Sequence, residues 1–377
     1  MAANAWDVGD RASRFMWEGR DIIHLGVGDP DIDVAPAVRL AAEASLAAGR
    51  THYSPLAGEP ALRAAIAAHA TSLYGTVVAA DHVAVCSGAQ GALYGAFQLL
   101  AGPGDEIIVL APFYATYPAA VTAGGARMVS VALDAQQGFR LDLAAVIKAI
   151  TPRTKAILVN SPSNPAGAVI SQGDMNALVD LALERDLWLV SDEVYWSLCY
   201  DGPHVSPLGR RARDRVIVVN SVSKSHAMAG FRIGWTIGPP DFIAAMTTLA
   251  QSLYFGINQF AQDAAVVALA DSATPTAIRA CFQKRRDALV ASLAPIDGLD
   301  FATPQGGMFL LVDVSATGRD GEAYANGLLD AEGVAVVPGF GFGDDYVDMV
   351  RIGFLCAPER LAQAAARIQR YTAGILG

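Results

Sequence analysis

Two serines, a lysine and an arginine close together in the sequence are the residues of this chain best suited to chemistry. Ser221, Ser223, Lys224 and Arg232 lie in the segment SVSKSHAMAGFRIGW. The apolar run from Val216 to Asn220 before them predicts a buried strand, so the lysine follows a strand end. Most lysines are solvated surface amines. In a desolvated site near another cation, however, a lysine has a lowered pKa and can form a Schiff base with a carbonyl compound.

The neighbouring groups indicate which carbonyl compound would bind. Two hydroxyls and a guanidinium are suitable partners for a phosphate monoester. Pyridoxal phosphate (PLP) carries both a carbonyl group and a phosphate. The segment therefore predicts a PLP site built on Lys224, with Ser221, Ser223 and Arg232 at the phosphate.

The same segment resembles the S-x-S-K-x-x-x-x-x-G-x-R-x-G signature of the class I/II aminotransferases, which are fold-type I PLP enzymes. The likeness runs from about Gly26 to Arg351. It implies an α/β fold in which a large domain has a mainly parallel seven-stranded sheet sandwiched by helices, next to a smaller α+β domain. We assign residues 1–35 to an N-terminal arm and part of the small domain, residues 36–272 to the large PLP-binding domain, and residues 273–377 to the small C-terminal domain.

The order of strand and helix patterns along the chain agrees with that fold. From Asp81 onward, continuous apolar strand candidates alternate with helical segments. This alternation indicates a mainly parallel sheet covered on both faces. The segment ADSATPT, Ala270 to Thr276, interrupts the alternation and is a candidate domain boundary.

Further candidate groups follow the predicted strands, where open α/β sheets bind their ligands. Gly88, Ala89 and Gln90 lie between a strand and a helix, where free backbone N–H groups and the positive helix end favour a phosphate. Tyr114 follows the strand Ile107 to Leu110 and could stack on a planar cofactor. A place in the core is the alternative for this ring.

Two more predicted strands end in polar residues that match family motifs. Asn164 lies in an N-P-x-G loop after the strand AILVN, and a turn-forming role is its alternative. Asp192 and Tyr195 follow the strand LWLV in the family's D-E-x-Y pattern. A buried carboxylate is costly unless paired, and the protonated pyridine nitrogen of PLP would be its partner. Glu193 is a competing acid, but the strand-end position and the motif favour Asp192.

Three residues outside these strand ends are further candidates, and the resemblance implies the roles of two of them, Tyr53 and Arg351. Tyr53 matches a tyrosine that reaches across a dimer interface to the cofactor phosphate of the partner subunit, which implies a homodimer with active sites at the interface. Gly28 lies in the segment from Ile22 to Asp31, which we predict to be a strand that ends in a glycine-rich turn. Substrate could approach the backbone there, although a plain turn glycine is equally consistent. Arg351 matches the arginine that binds the substrate α-carboxylate bidentately, and a structural salt bridge is its alternative.

The implied reaction is a ping-pong transamination with Lys224, Asp192 and Tyr195 as the catalytic residues. An L-amino acid would transfer its amino group to a 2-oxo acid such as pyruvate, with Asn164 and Arg351 among the substrate contacts. Aspartate-specific relatives supply a second basic residue for the distal carboxylate. Here Gln90 lies in the phosphate loop, and the later segment SLYFGINQFAQDAA has no lysine or arginine. We therefore predict basic or broad amino-acid donors.

Three segments look closest to the arginine:pyruvate transaminase branch of the family. They are VNSVSKSHAM, the pair DEVYW and DGPHVSP, and AWD near the start. Arginine is therefore a candidate donor, and an aspartate-type or aromatic-type aminotransferase is the alternative. A PLP lyase, decarboxylase or oxidase of the same fold would keep every cofactor residue and stays open. A PLP-binding regulator is disfavoured because the chain has no appended DNA-binding region or basic patch.

The composition of the chain limits the classes of binding partner and the cellular compartment that we expect. The 27 Lys and Arg against 37 Asp and Glu give a net charge of -10, which argues against nucleic acid or an anionic membrane as partner. No run approaches the roughly 20 apolar residues that cross a bilayer, and no signal-peptide pattern is present. The four cysteines lack zinc or disulfide spacing, which predicts a cytoplasmic protein without a metal. Apolar residues at 53% suggest surface buried in an oligomer.

Overall fold

The computed structural model describes residues 4–209 and 213–377. The chain begins with α1 (Asp7–Trp17), β1 (Ile23–His24), α2 (Pro36–Ala47) and α3 (Pro60–Tyr74). The central part contains β2 (Val83–Ser87), α4 (Gly88–Leu100), β3 (Glu106–Ala111), α5 (Tyr117–Thr122), β4 (Arg127–Ala132), α6 (Leu143–Ala149), β5 (Thr154–Asn160), α7 (Gln172–Glu184), β6 (Trp188–Asp192), β7 (Val216–Ser221) and β8 (Ile233–Ile237). The remainder contains α8 (Pro240–Leu253), α9 (Gln259–Ala270), α10 (Ala273–Leu293), β9 (Phe309–Asp313), α11 (Gly321–Glu332), β10 (Val334–Ala335), β11 (Val337–Pro338), β12 (Met349–Gly353) and α12 (Pro358–Leu376).

A seven-stranded sheet with the strand order β2-β8-β7-β6-β5-β3-β4 forms the framework of the large part of the protein. All neighbouring strands are parallel except β8, which runs antiparallel to β2 and β7. The predicted α/β class with a mainly parallel sheet is therefore confirmed. Because most strands run the same way, their carboxyl ends lie along one edge of the sheet.

Helices cover both faces of this sheet, which explains its continuous apolar strands. Along β7, Val216 and Val218 belong to one hydrophobic core, whereas Ile217 and Val219 belong to the core on the other face. Side chains of a strand alternate between the two faces, so a strand buried on both sides has no polar position in its middle. Every residue of β7 is buried.

A second, smaller group of strands contains the C-terminal part of the chain. The strands β11, β12 and β9 form an antiparallel sheet in that order, and β1 pairs in parallel with β10. The N-terminal segment thus joins the C-terminal strands, with Ile23 opposite Val334. The segment from Ile22 to Asp31, predicted as a strand that ends in a glycine-rich turn, contains β1. This strand has two residues because β10 offers only two for pairing, and the chain then turns towards the cleft described below.

The ADSATPT segment contains a tight turn between two helices and the first residues of the second helix. Helix α9 ends at Ala270 and the 21-residue helix α10 begins at Ala273. The carboxylate of Asp271 accepts hydrogen bonds from the Ala273 N–H at 2.8 Å and from the Thr274 hydroxyl at 2.5 Å. These bonds satisfy donors at the start of α10. The domain limits themselves stay a prediction. No helix in the two described ranges is both long and apolar enough to cross a membrane.

Candidate active site

A cleft of about 160 Å³ lies at the carboxyl ends of β5, β6 and β7 and is closed on one side by the smaller sheet. Most residues predicted for the site line this cleft, as expected for an open α/β sheet. They are Gly28, Ala89, Gln90, Tyr114, Asn164, Asp192, Tyr195, Ser221, Ser223, Lys224, Arg232 and Arg351. Gly88 is not part of the lining but lies against the side chain of Arg232, and Tyr53 is exposed outside the cleft.

Lys224 extends into the cleft from the loop after β7. Its ammonium donates a short hydrogen bond to the backbone carbonyl of Gly28. Burial lowers the pKa of the Lys224 amine to about 8, and the positive charges of Arg232 and Arg351 act in the same direction, while Asp29 opposes them. The amine is therefore neutral far more often near physiological pH than an ordinary lysine.

Asp192 ends β6 at the base of the cleft and is only 3% exposed. The Tyr117 hydroxyl donates a 2.6 Å hydrogen bond to its carboxylate, and the backbone N–H of Val194 donates another at 3.2 Å. Burial raises the pKa of Asp192 to about 6 despite these hydrogen bonds, and the charge of Glu193 adds to the increase. A positive group placed next to this carboxylate would relieve the cost of burying it.

Glu193, the competing acid, does not line the cleft. Its carboxylate accepts hydrogen bonds from Ser191 at 2.9 Å and Ser206 at 2.6 Å, and it is 2.8 Å from Nε2 of His204. Successive residues at the end of a strand point to opposite sides, which separates the two acids. Of the two, Asp192 has its carboxylate in the cleft.

Arg351 enters the cleft from β12 of the smaller sheet and is 1% exposed. Nη1 donates to Oδ1 of Asn164 at 2.9 Å, Nη2 donates to the Gly26 carbonyl at 2.6 Å, and Nε has no partner among the described residues. The Phe309 ring centroid lies 4.1 Å from the guanidinium carbon. Burial lowers the pKa of Arg351 to about 10, so the group stays charged at neutral pH. Asn164 also donates to the Tyr195 hydroxyl at 3.4 Å.

Close backbone contacts shape the opposite end of the cleft. Gly88 has φ +70°, and a Cβ atom there would collide with Nη2 of Arg232. A Cβ on Gly234 would collide with the Gly88 carbonyl carbon. Two glycines thus bring β8 against the start of α4, where the first backbone N–H groups have no partner within the helix. Ser221 and Ser223 line the same end.

The charges of the cleft fit PLP. Arg232 and Arg351 donate to carbonyl and amide oxygens, and neither pairs with a carboxylate of the residues that the structure describes. Unpaired guanidinium groups at two ends of a cleft favour an anionic group at each end, such as a phosphate at Arg232 and a carboxylate at Arg351. Lys224 between them provides an amine for a carbonyl group, and Asp192 provides a partner for a protonated ring nitrogen.

Comparison with known proteins identifies the family. The family described as aminotransferase class I and II matches residues 20–368. The chain belongs to this family. It is a PLP-dependent aminotransferase, which confirms the predicted enzyme class and cofactor. The solved structures it resembles are aminotransferases too, and they confirm the fold-type I architecture.

The aminotransferase is similar to relatives with different named substrates. It is 43% identical to the arginine–pyruvate transaminase AruH of Pseudomonas aeruginosa, over 100% of this chain and 96% of that protein. It is 39% identical to the aspartate/prephenate aminotransferase of Thermus thermophilus, over 96% of this chain and 94% of that protein. The structure of Thermus thermophilus aspartate aminotransferase with maleate superposes with a TM-score of 0.94 at 38% identity, covering 98% of this chain and 97% of the other.

One predicted cofactor residue of the aminotransferase lies outside the cleft of its own chain. Tyr53 is 80% exposed, and its ring packs edge-on against Phe255 with 5.1 Å between the centroids. Phe255 is also exposed. An exposed aromatic pair is unusual for a surface without a partner. The prediction that Tyr53 serves a partner subunit is not tested by a single chain and stays a prediction.

Four residues at the site of this aminotransferase were absent from the sequence prediction. Tyr117 holds Asp192, and the Asn160 side chain donates to the Asp192 carbonyl at 3.0 Å and accepts from the Asn164 N–H at 2.8 Å. Trp6 and Phe309 line the cleft beside Arg351. Asn160 ends β5, so its strand-end position was a usable signal.

Proposed function

We propose that this aminotransferase takes basic amino acids, with arginine among them, or a broad range of L-amino acids as donors, and a 2-oxo acid such as pyruvate as acceptor. The observation that carries the proposal is the neutral lining at Gln90. The Gln90 side chain is uncharged. Its oxygen accepts a 2.9 Å hydrogen bond from the Thr116 hydroxyl, which holds the amide in the cleft wall. Among the described residues that line the cleft, the cations are Lys224, Arg232 and Arg351, and each has another proposed role, so no further cation is left for the distal carboxylate of a donor. The similarity to an arginine–pyruvate transaminase supports the same choice.

Lys224 is the proposed proton carrier. The chemistry that PLP supplies when bound is a covalent link to the amino group and an electron sink for the α-carbon. With PLP bound, the Nζ atom of Lys224 would accept the α-proton of the substrate as general base and give a proton back as general acid. Its lowered pKa suits both directions, because the neutral and charged forms are both accessible near neutral pH.

Asp192 is the proposed electrostatic partner of the cofactor ring nitrogen. In the ionised form its carboxylate stabilises a positive charge in a buried site, where such an interaction is strong. The Tyr117 hydroxyl orients the carboxylate. Tyr195 and Asn164 lie together on the other wall, and we propose that they contact the phenolic oxygen of the cofactor.

Arg351 is the proposed carboxylate binder of the substrate. Its guanidinium is oriented by Asn164 and Gly26, both neutral acceptors, so no internal salt bridge must be broken when a substrate arrives. Gly28 leaves room beside Lys224 for the substrate to approach the backbone. At the other end, Ser221, Ser223 and Arg232, with the backbone from Gly88 to Gln90, are the proposed phosphate site.

The assembly and compartment are part of the proposal. The exposed Tyr53 and Phe255 support a homodimer in which Tyr53 reaches the phosphate of the partner subunit. The four cysteines are free thiols, which is typical of a reducing cytoplasm. The second half of the ping-pong reaction then uses the same residues in reverse order with a 2-oxo acid.

A single-turnover absorbance scan tests the donor class. The purified PLP-loaded enzyme is mixed in turn with L-arginine, L-aspartate, L-phenylalanine and L-alanine, without any oxo acid. We expect the band of the loaded enzyme to convert to the pyridoxamine phosphate band, fastest with arginine or at similar rates with several donors. Conversion with aspartate alone would contradict the donor proposal and favour the substrate named for the Thermus relative. Release of ammonia, carbon dioxide or peroxide without band conversion would instead indicate another PLP reaction.

A further inference from the structure

The loop of residues 26–28, which follows β1, provides acceptors for two of the basic groups of the cleft. The Gly26 carbonyl accepts a 2.6 Å hydrogen bond from Nη2 of Arg351. The Gly28 carbonyl accepts a hydrogen bond from the ammonium of Lys224. The backbone conformation of this loop therefore contributes to the position of the Arg351 guanidinium, and what holds the loop matters for the site.

Gly26 lies just beyond the backbone pairing of β1. The N–H of Leu25 donates to the Ala335 carbonyl at 2.8 Å, which continues the pairing of β1 with β10. The next N–H, that of Gly26, donates instead to a side chain, because it bonds Nδ1 of His24 at 3.1 Å. Gly26 thus has its N–H bound to His24 and its carbonyl bound to Arg351.

The His24 ring also packs closely against Gly26. A Cβ atom on Gly26 would lie 3.1 Å from Cε1 of His24 and 3.1 Å from Cγ2 of Val337. Both distances are shorter than an ordinary contact between carbon atoms. Val337 in β11 is the residue opposite Arg351 in β12. The backbone of Gly26 therefore lies between the His24 ring and the strand pair that carries Arg351.

His24 can accept the hydrogen bond from Gly26 only as a neutral ring with its proton on Nε2. Burial lowers the pKa of His24 below its usual value, and the positive charge of Arg351 acts in the same direction. The backbone of Gly9 and the charge of Asp10, both in α1, oppose this decrease without cancelling it. The ring is therefore neutral at pH 7.

The other side of the ring contacts the helix next to Trp6. A Cβ atom on Gly9 in α1 would lie 3.3 Å from Nε2 of His24. Trp6 directly precedes α1, and its ring centroid lies 5.7 Å from the guanidinium carbon of Arg351. His24 thus contacts two segments that reach Arg351, the loop 26–28 and α1.

We propose that His24 is a positioning residue for Arg351 and acts through the backbone of Gly26 on the site for the substrate α-carboxylate. The inference rests on the proposed role of Arg351 as carboxylate binder. Without the acceptor at Nδ1, the Gly26 N–H loses its partner and the Gly26 carbonyl is held less firmly. The guanidinium then loses part of one of the two hydrogen bonds that orient it, and the strength of a bidentate contact depends on that orientation.

Steady-state kinetics of PLP-loaded variants test this role, with the donor that reacts fastest in the scan described above. His24→Leu removes the acceptor and keeps a side chain of similar size. We expect KM for the donor to rise about threefold to tenfold, the effect of one neutral hydrogen bond, while kcat stays within about twofold. Circular dichroism shows whether the variant folds, and His24→Ala, with the same expected change, replaces it if it does not.

His24→Asn is the matched control. An asparagine side-chain oxygen accepts a hydrogen bond from the backbone N–H two residues further on, which is the bond that His24 makes to Gly26. This variant should keep KM within about twofold of the unmodified enzyme, because the acceptor is restored. A purely structural role of the imidazole ring would predict that both substitutions are equally harmful.

A double-mutant cycle with Arg351→Lys shows whether the effect passes through Arg351. Lysine lacks the fork that is oriented by Gly26, so adding His24→Leu to Arg351→Lys should raise KM by less than about twofold. The inference is wrong if folded His24→Leu keeps the normal KM, if its kcat falls as much as its KM rises, if His24→Asn is equally impaired, or if the two substitutions act independently. An unchanged KM in Arg351→Lys alone would overturn the proposed carboxylate site together with this inference, whereas the other four results leave that site intact.

Discussion

The Nη1 atom of Arg351 donates a 2.9 Å hydrogen bond to the side-chain oxygen of Asn164. Arg351 belongs to β12 of the smaller sheet, whereas Asn164 follows β5 of the seven-stranded sheet. The bond joins the two sheets across the cleft and orients the guanidinium before any anion is bound. Since Nε has no partner among the described residues, the group keeps donor capacity for a carboxylate.

Replacing Arg351 by lysine should raise KM for amino-acid donors by about tenfold to a hundredfold. Lysine keeps the charge but loses the planar fork that binds a carboxylate with two parallel hydrogen bonds. Loss of one hydrogen bond to a charged group lowers affinity by about tenfold to a hundredfold. Initial rates measured against donor concentration test this. Arg360→Lys is the control, because Arg360 is a partly exposed residue that pairs with Asp21 and does not line the cleft. An unchanged KM in Arg351→Lys would show that the carboxylate binds elsewhere.

Replacing Asp192 by asparagine should lower kcat by about a hundredfold to a thousandfold with little change in fold. The substitution keeps the size and the hydrogen bond to Tyr117 but removes the buried negative charge, and losses of this order follow removal of one preorganised electrostatic group. Steady-state kinetics of the PLP-loaded variant would measure it.

Glu193→Gln provides a contrast, because this neighbouring acid is held by His204, Ser191 and Ser206 and does not line the cleft. We expect it to lower the melting temperature, by weakening a buried ion pair, while kcat of the folded protein stays within a few-fold. If Glu193→Gln lost kcat and Asp192→Asn did not, the two acids would have been assigned in the wrong order.

Strand ends explain why so much of the site could be predicted from sequence. A fully buried parallel strand is a continuous apolar run, so the first polar residues after it mark the edge where ligands bind. Asp192 after LWLV and Lys224 after VIVVN were found in this way, and both line the cleft. The family motif added Arg351, whose place in a different sheet no local pattern indicates.

Residues that reach the cleft from elsewhere gave no such signal. Tyr117 lies at the start of a six-residue helix and resembles a core aromatic until its contact with Asp192 is known. Trp6 and Phe309 approach Arg351 from the N-terminal segment and from β9, which tertiary packing alone brings together. The two-residue length of β1 has no local signal either, since the length of a strand depends on a partner strand remote in sequence.

The lowered pKa of Lys224 should be visible in the pH dependence of cofactor loading. Only a neutral amine attacks a carbonyl group. With a pKa of about 8, about one tenth of the amine is neutral at pH 7, compared with about one part in 2,500 for an ordinary lysine. The rate at which the cofactor-free enzyme takes up PLP, followed by stopped-flow absorbance, should rise about tenfold per pH unit below pH 8 and level off above it.

Lys224→Ala is the control for this measurement, because PLP also reacts with surface lysines. Subtracting its signal leaves the reaction of Lys224 alone. The sign follows from burial, which disfavours the charged form and so moves the plateau to lower pH. A rate that keeps rising to about pH 10, where an ordinary lysine titrates, would contradict a perturbed amine.

Replacing Gln90 by lysine should shift donor preference towards L-aspartate. The new ammonium would add a positive charge to the cleft wall, where Gln90 now offers a neutral amide held by Thr116. We expect kcat/KM for aspartate relative to alanine to rise by about tenfold, the effect of one charge-assisted hydrogen bond. Gln137→Lys adds the same charge at an exposed turn and should leave the ratio unchanged. An unchanged ratio in Gln90→Lys would show that the distal part of the donor lies elsewhere.

Hybrid dimers test whether Tyr53 serves the partner subunit. Lys224→Ala should have almost no turnover, and Tyr53→Phe should bind PLP about tenfold more weakly through loss of one hydrogen bond to a phosphate. In a hybrid of the two variants, the site that keeps Lys224 receives an unmodified Tyr53 only if that residue comes from the other subunit. We therefore expect this site to regain the PLP affinity of the unmodified enzyme, and the hybrid to have about half of the unmodified activity per dimer, since one of its two sites keeps its lysine. If Tyr53 acted within its own chain, the site that keeps Lys224 would still lack the tyrosine hydroxyl, and it would bind PLP as weakly as the Tyr53→Phe dimer does.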